Sequence, residues 1–97
     1  MTFITLDDCN NLTGKAQARC FLHLAIQAEH DAVNLYNAMA EHVDYRSLDV
    51  TVEEFRSRMH HVAREEHVHI GEFTALLEAL DDTYRADVDE GKQEAQG

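Results

Sequence analysis

Apolar residues recur at threes and fours between Thr13 and Val43: Phe21, Leu24, Ala25, Ala28, Ala32, Leu35, Tyr36, Met39 and Val43. That period predicts an amphipathic helix. The stretch DYRSLDVT, residues 44–51, breaks it. Thr51-Val52-Glu53-Glu54 then reads as a capping box, with Thr51 as N-cap and Glu54 reaching back to its amide. A second run at helical spacing holds Phe55, Met59, Val62, Ile70, Phe73, Leu77 and Leu80, and fades at Asp81-Asp82. The pattern therefore predicts a helical segment 13–82, with helices over about 13–43 and 52–81. Residues 1–12, which carry the turn-like DDCNN, are expected to be irregular. The tail 83–97 is polar and is expected to be a short helix followed by disorder. No internal repeat is present within the chain.

Each helix of about 30 residues would be about 45 Å long at 1.5 Å per residue. The connection is short, so the two should lie antiparallel as a hairpin. Two helices make one contact, and stripes this broad would remain half exposed. The expected fold is all-α: a two-helix hairpin that dimerises into a four-helix bundle.

Three polar residues interrupt the stripes. With residues placed at 100° steps, Glu29 falls among Ala25, Ala32, Val33 and Tyr36. Glu66 lies near the centre of the second stripe, and His69 follows three positions later on the same face. Burying an unpaired carboxylate is costly, and a metal ion offsets that directly. The heights agree too. Glu29 precedes Val43 by fourteen residues and Glu66 follows Val52 by fourteen, so both sit about 21 Å above the connection. Di-iron carboxylate bundles use one Glu from each of two helices and a Glu-x-x-His from each of the other two. This chain has one lone Glu, one Glu66-His67-Val68-His69 and no second Glu-x-x-His. Two chains would supply the whole set, which predicts a metal site at a dimer interface.

Composition narrows the setting. The 97 residues hold 19 acidic against 8 basic side chains, a formal charge of −11, with seven histidines and no proline. Such a chain will not hold a phosphate backbone, so neither nucleic acid nor membrane is expected as a partner. No apolar run reaches membrane-span length, and MTFITLDD lacks the marks of a signal peptide. Cys9 and Cys20 stand in no CxxC spacing and read as incidental thiols. The expected location is the cytoplasm.

The segment AEHDAVNLYNAMA (28–40), followed by AREEHVHIGEFTALLEAL (63–80), resembles the ferritin-like superfamily, whose helices carry E-x6-Y and E-x-x-H. A half-length chain with one copy of each is most similar to the encapsulated ferritins. That resemblance, covering roughly Thr13 to Leu80, implies a ferroxidase centre with two iron ions per dimer, an open decameric ring and a place inside an encapsulin shell. It makes Glu29, Glu66 and His69 the iron ligands and catalytic residues, with Tyr36 the aromatic residue beside them. Asp31 matches an acidic position expected to guide metal in, while Ala28 and His30 depart from neighbouring ones. Leu35 replaces a second aromatic residue, the connection is longer than in the family, and the tail lacks the Gly- and Leu-rich shell-targeting motif.

Oxygen and imidazole donors without thiolate suit iron or manganese better than structural zinc. Manganese, zinc or calcium could substitute in such a site. Iron supplies the electrons, so no organic cofactor is needed, and the acidic surface would concentrate Fe(II). Glu65 and Glu72 lie one turn to either side of His69, where each reads as a solvated carboxylate or as a residue that orients its ring. His23, His30, His60, His61 and His67 read as surface residues, and His42 sits at a stripe edge. Two other readings stay open: a rubrerythrin-like peroxide-reducing di-iron protein and a non-enzymatic helical oligomerisation module. The string His61-x-x-x-Glu65 also matches hemerythrins, but those two side chains would face away from the stripe.

Overall fold

A computed structural model describes residues 4–44, 46 and 49–97, and among these every regular element is a helix. In chain order these are α1 (Leu6–Asn10), α2 (Gly14–His42), α3 (Val52–Leu80) and α4 (Asp82–Gln96). Each start has a local cause. Thr5 and Asp8 form a reciprocal capping box on α1, at 2.8 and 3.2 Å. Gly14 opens α2 at φ 58°, in the left-handed region that suits glycine. At α3, Thr51 Oγ1 accepts from the Glu54 amide at 3.1 Å, the expected half of that box.

Both ends of the chain differ from the sequence expectation. Residues 1–12 were expected to be irregular, yet they hold α1, and the tail is helical through Gln96 rather than fading into disorder. Asp81 explains the second case. Its extended backbone (φ −142°, ψ 95°) ends α3, and its carboxylate accepts from the Tyr84 amide at 3.0 Å to start α4. Extended backbone at Thr13 likewise separates α1 from α2.

The cysteines require a correction. Cys9 and Cys20 are joined in a disulfide with Cα atoms 5.4 Å apart, not left as incidental thiols. The turn after α1 folds that helix back on the start of α2 and brings together residues eleven apart in sequence.

The hairpin of α2 and α3 is the body of the fold. Arginines near the two helix starts fix its register. The Arg19 guanidinium donates to the Leu80 carbonyl at 3.5 Å, and Arg56 Nε donates to the Ala40 carbonyl at 3.3 Å. Each thus satisfies a carbonyl at the far end of the opposite helix, where intrahelical partners run out. Arg19 also lies 3.8 Å from Asp81. In the connection, the Arg46 guanidinium pairs with Asp44 at 2.9 Å and holds that carboxyl below its ordinary range.

Packing between the helices is slender. The buried apolar residues are Val33 and Ala40 on α2, Ala63 and Leu77 on α3, and the two cystine residues. Phe21, Leu35 and Met39 on α2 remain exposed, as do Val68 and Leu76 on α3. At 100° per residue, Phe21, Leu35 and Met39 fall within about 40° of one another, roughly a third of a turn from Val33 and Ala40. Full burial of a large apolar side chain is worth about 1.5–3 kcal/mol, and each of these, between 36% and 58% exposed, forgoes part of it. The chain thus buries one stripe and presents a second.

Candidate metal centre

Glu29 lies at the middle of α2, and Glu66 and His69 at the middle of α3. The end clamps bring these midpoints level. Donor atoms of the three side chains all lie within 4.8 Å of one another. His69 Nδ1 stands 3.4 Å from Glu29 Oε2 and 3.5 Å from Glu66 Oε2. Among the described residues no other group of three histidine, cysteine or acidic side chains converges in this way.

The surroundings suit a cation reached from one side. Side-chain accessibility is 19% for Glu29 and 17% for Glu66, against 46% for His69. Two mostly covered carboxylates repel each other, and a positive ion between them relieves that repulsion. By helical position, Leu76 lies within about 20° of His69. The accessible side of the cluster is therefore the side on which apolar residues lack cover.

The remaining predicted residues are scattered. Tyr36 is half-buried two turns beyond Glu29, and among the described residues it makes no hydrogen bond to the cluster. Asp31 is exposed and accepts from Gln27 Nε2 at 3.0 Å. Glu65 pairs with His61 Nε2 at 2.7 Å, which engages it away from His69. Glu72 is exposed. His60, read as a surface residue, is exposed yet bridges the helices through Asn37 at 3.2 Å. His23 packs edge-on against Tyr84 with ring centroids 5.7 Å apart, a contact that depends on α4. Arg19 and Arg56 were missed. Only their heights opposite Leu80 and Ala40 could have signalled them.

The fold and cluster can be set beside known proteins. The Rubrerythrin family profile matches residues 21–96, which contain most of α2, all of α3 and all three cluster residues. The chain belongs to the rubrerythrin family. It is also 47% identical over 60 residues to a ferritin-like–encapsulin shell fusion protein of Pyrococcus furiosus. Those residues are 62% of this chain but only 15% of that longer protein. No solved structure matches the chain. Together the two matches support the resemblance to encapsulated ferritin-like proteins. They make this rubrerythrin-family chain a di-iron, ferritin-like protein in class. The donor set fits that class, with carboxylate oxygens, one imidazole and no thiolate.

Proposed function

We propose that the protein is a ferroxidase that oxidises Fe(II) to Fe(III) at a centre shared between two copies of the chain. The observation that carries this reading is the convergence of Glu29, Glu66 and His69 beside an uncovered apolar face. Fe(II) is the substrate. Three donors from one chain are half of a di-iron set, and a second copy related by a two-fold axis would add the other half. The same pairing would cover Phe21, Leu35, Met39 and Leu76, so burial and metal binding favour one association.

In such a dimer Glu29, Glu66 and His69 would hold two iron ions, whose one-electron oxidation supplies the electrons for the oxidant. The protein's part is to orient the donors and limit water around the carboxylates. The clamps at Arg19 and Arg56 keep Glu29 level with Glu66. Tyr36 would line the bundle beside the site. Asp31 and the exposed Glu72 would lie along the approach of Fe(II), drawn by the net charge of −11.

Two further features belong to this reading. Membership of the rubrerythrin family supports peroxide as an oxidant beside dioxygen. The fused arrangement of the Pyrococcus furiosus relative supports an encapsulin shell as partner, and the resemblance to encapsulated ferritins adds storage of the oxidised iron inside it and a ring of dimers as the working unit. Among the described residues no helix is long and apolar enough to cross a membrane.

Fe(II) added to the protein under air, then anaerobically with peroxide, tests the activity. The expected result is ferric absorbance growing well above the buffer rate with at least one oxidant. Oxidation no faster than in buffer with both would leave the helical oligomerisation reading in its place.

A further inference from the structure

The short helix α1 has little to hold it. A five-residue helix is too short to be stable alone, and Leu6 is largely exposed. Cys9 is its buried residue, with 0% of its surface accessible, and Cys20 is 8% accessible. Beyond the disulfide, α1 is tied to α2 by the Gln17 side chain donating to the Cys9 carbonyl at 3.3 Å. By helical position Cys20 lies about 160° from Ala40, so α1 sits on the side of α2 away from α3. The clamps that join α2 to α3, Arg19 on Leu80 and Arg56 on Ala40, involve no residue of α1.

From this placement we infer that the Cys9–Cys20 disulfide is a redox-operated clip that retains α1 on α2, and that its reduction frees residues 4–12 while leaving the α2–α3 hairpin folded. A dithiol reductant opens the clip. Its thiolate attacks the Cys20 sulfur, the more accessible of the two, and the Cys9 thiolate leaves and takes up a proton. The second reductant thiol then displaces Cys20, so two electrons and two protons pass to the cystine and the reductant becomes a disulfide. Hydrogen peroxide closes the clip: one thiol is oxidised to a sulfenic acid with loss of water, and the other thiol displaces a second water to restore the S–S bond. Because both cysteines are covered in the closed form, the reductant gains access when α1 frays, and opening is slow. The clip is independent of the iron chemistry proposed above.

The experiment uses the full chain without iron. Alkylation with iodoacetamide before and after dithiothreitol should label neither cysteine at first and both afterwards. Hydrogen exchange should then rise at least about tenfold at Leu6–Asn10 on reduction, as for a locally released segment. Exchange at the middle of α2 and α3 should stay as it was, and peroxide should reverse the change. The variant C9S should show the fast exchange without any reductant. Three results would each overturn the inference: immediate labelling of both cysteines in the untreated, air-oxidised protein; unchanged exchange at Leu6–Asn10 on reduction and in C9S; or loss of protection throughout α2 and α3 when wild type is reduced.

Discussion

His69 Nδ1 and Glu29 Oε2 lie 3.4 Å apart although forty residues separate them in sequence. The pair joins the midpoints of two helices of equal length, 29 residues each. Their meeting is fixed at the helix ends, by Arg19 on the Leu80 carbonyl and Arg56 on that of Ala40.

Loss of a donor should remove the chemistry and spare the fold. H69A and E66A are expected to lower the initial rate of Fe(II) oxidation at least about a hundredfold, since even outer partners of metal ligands are worth 10–100-fold. Helical circular dichroism should be retained. Stopped-flow ferric absorbance measures the rate, and a wild-type rate in either variant would remove that residue from the site.

The register clamps should matter singly and additively. R19A and R56A are each expected to destabilise the chain by about 1 kcal/mol, the usual net worth of one such hydrogen bond. Their sites lie at opposite ends of the hairpin, so the double variant should lose the sum. Thermal or urea unfolding reads this directly. A double variant no less stable than wild type would show that the register is set elsewhere.

Charge on the uncovered face should block association without disturbing the hairpin. L35E and L76E replace side chains that are already exposed in one chain. Sedimentation should show wild type as dimers or larger and both variants as helical monomers with reduced iron uptake. Wild-type assembly in L35E and L76E would place the interface on another face.

The Asp44–Arg46 pair gives a local pH prediction. The Arg46 guanidinium holds the Asp44 carboxyl below its ordinary range. The sign follows: a depressed carboxylate contributes stability above its unfolded pKa and loses it as pH falls through the folded value. Both side chains are exposed, so the effect stays within the connection between α2 and α3. In R46A, the NMR titration midpoint of Asp44 should move up toward that of a free aspartate.

The period of three and four from Phe21 to Val43 made α2 legible, and Thr51 and Asp81-Asp82 marked the limits of α3. Glu29, Glu66 and His69 were legible because a polar residue on an apolar face has few alternatives to a partner. Other features lay outside any helical period. The Cys9–Cys20 bond depends on a turn that folds α1 back, and an eleven-residue separation carries no motif. α4 looked like a solvated tail because its sequence is polar. What starts it is a single carboxylate, Asp81, accepting from the Tyr84 amide. The His23–Tyr84 contact needed α4 in place first. Glu65 was placed beside His69 by turn counting, but an exposed glutamate on α3 could equally meet His61 four residues earlier, and does.

On the proposed reading each chain holds half of a di-iron centre. Native mass spectrometry after anaerobic loading with Fe(II) tests it most directly. Dimers, or assemblies of dimers, should carry two iron ions per pair of chains, and H69A should lose the iron. Iron retained on a monomer, or dimers that take up no iron, would contradict it.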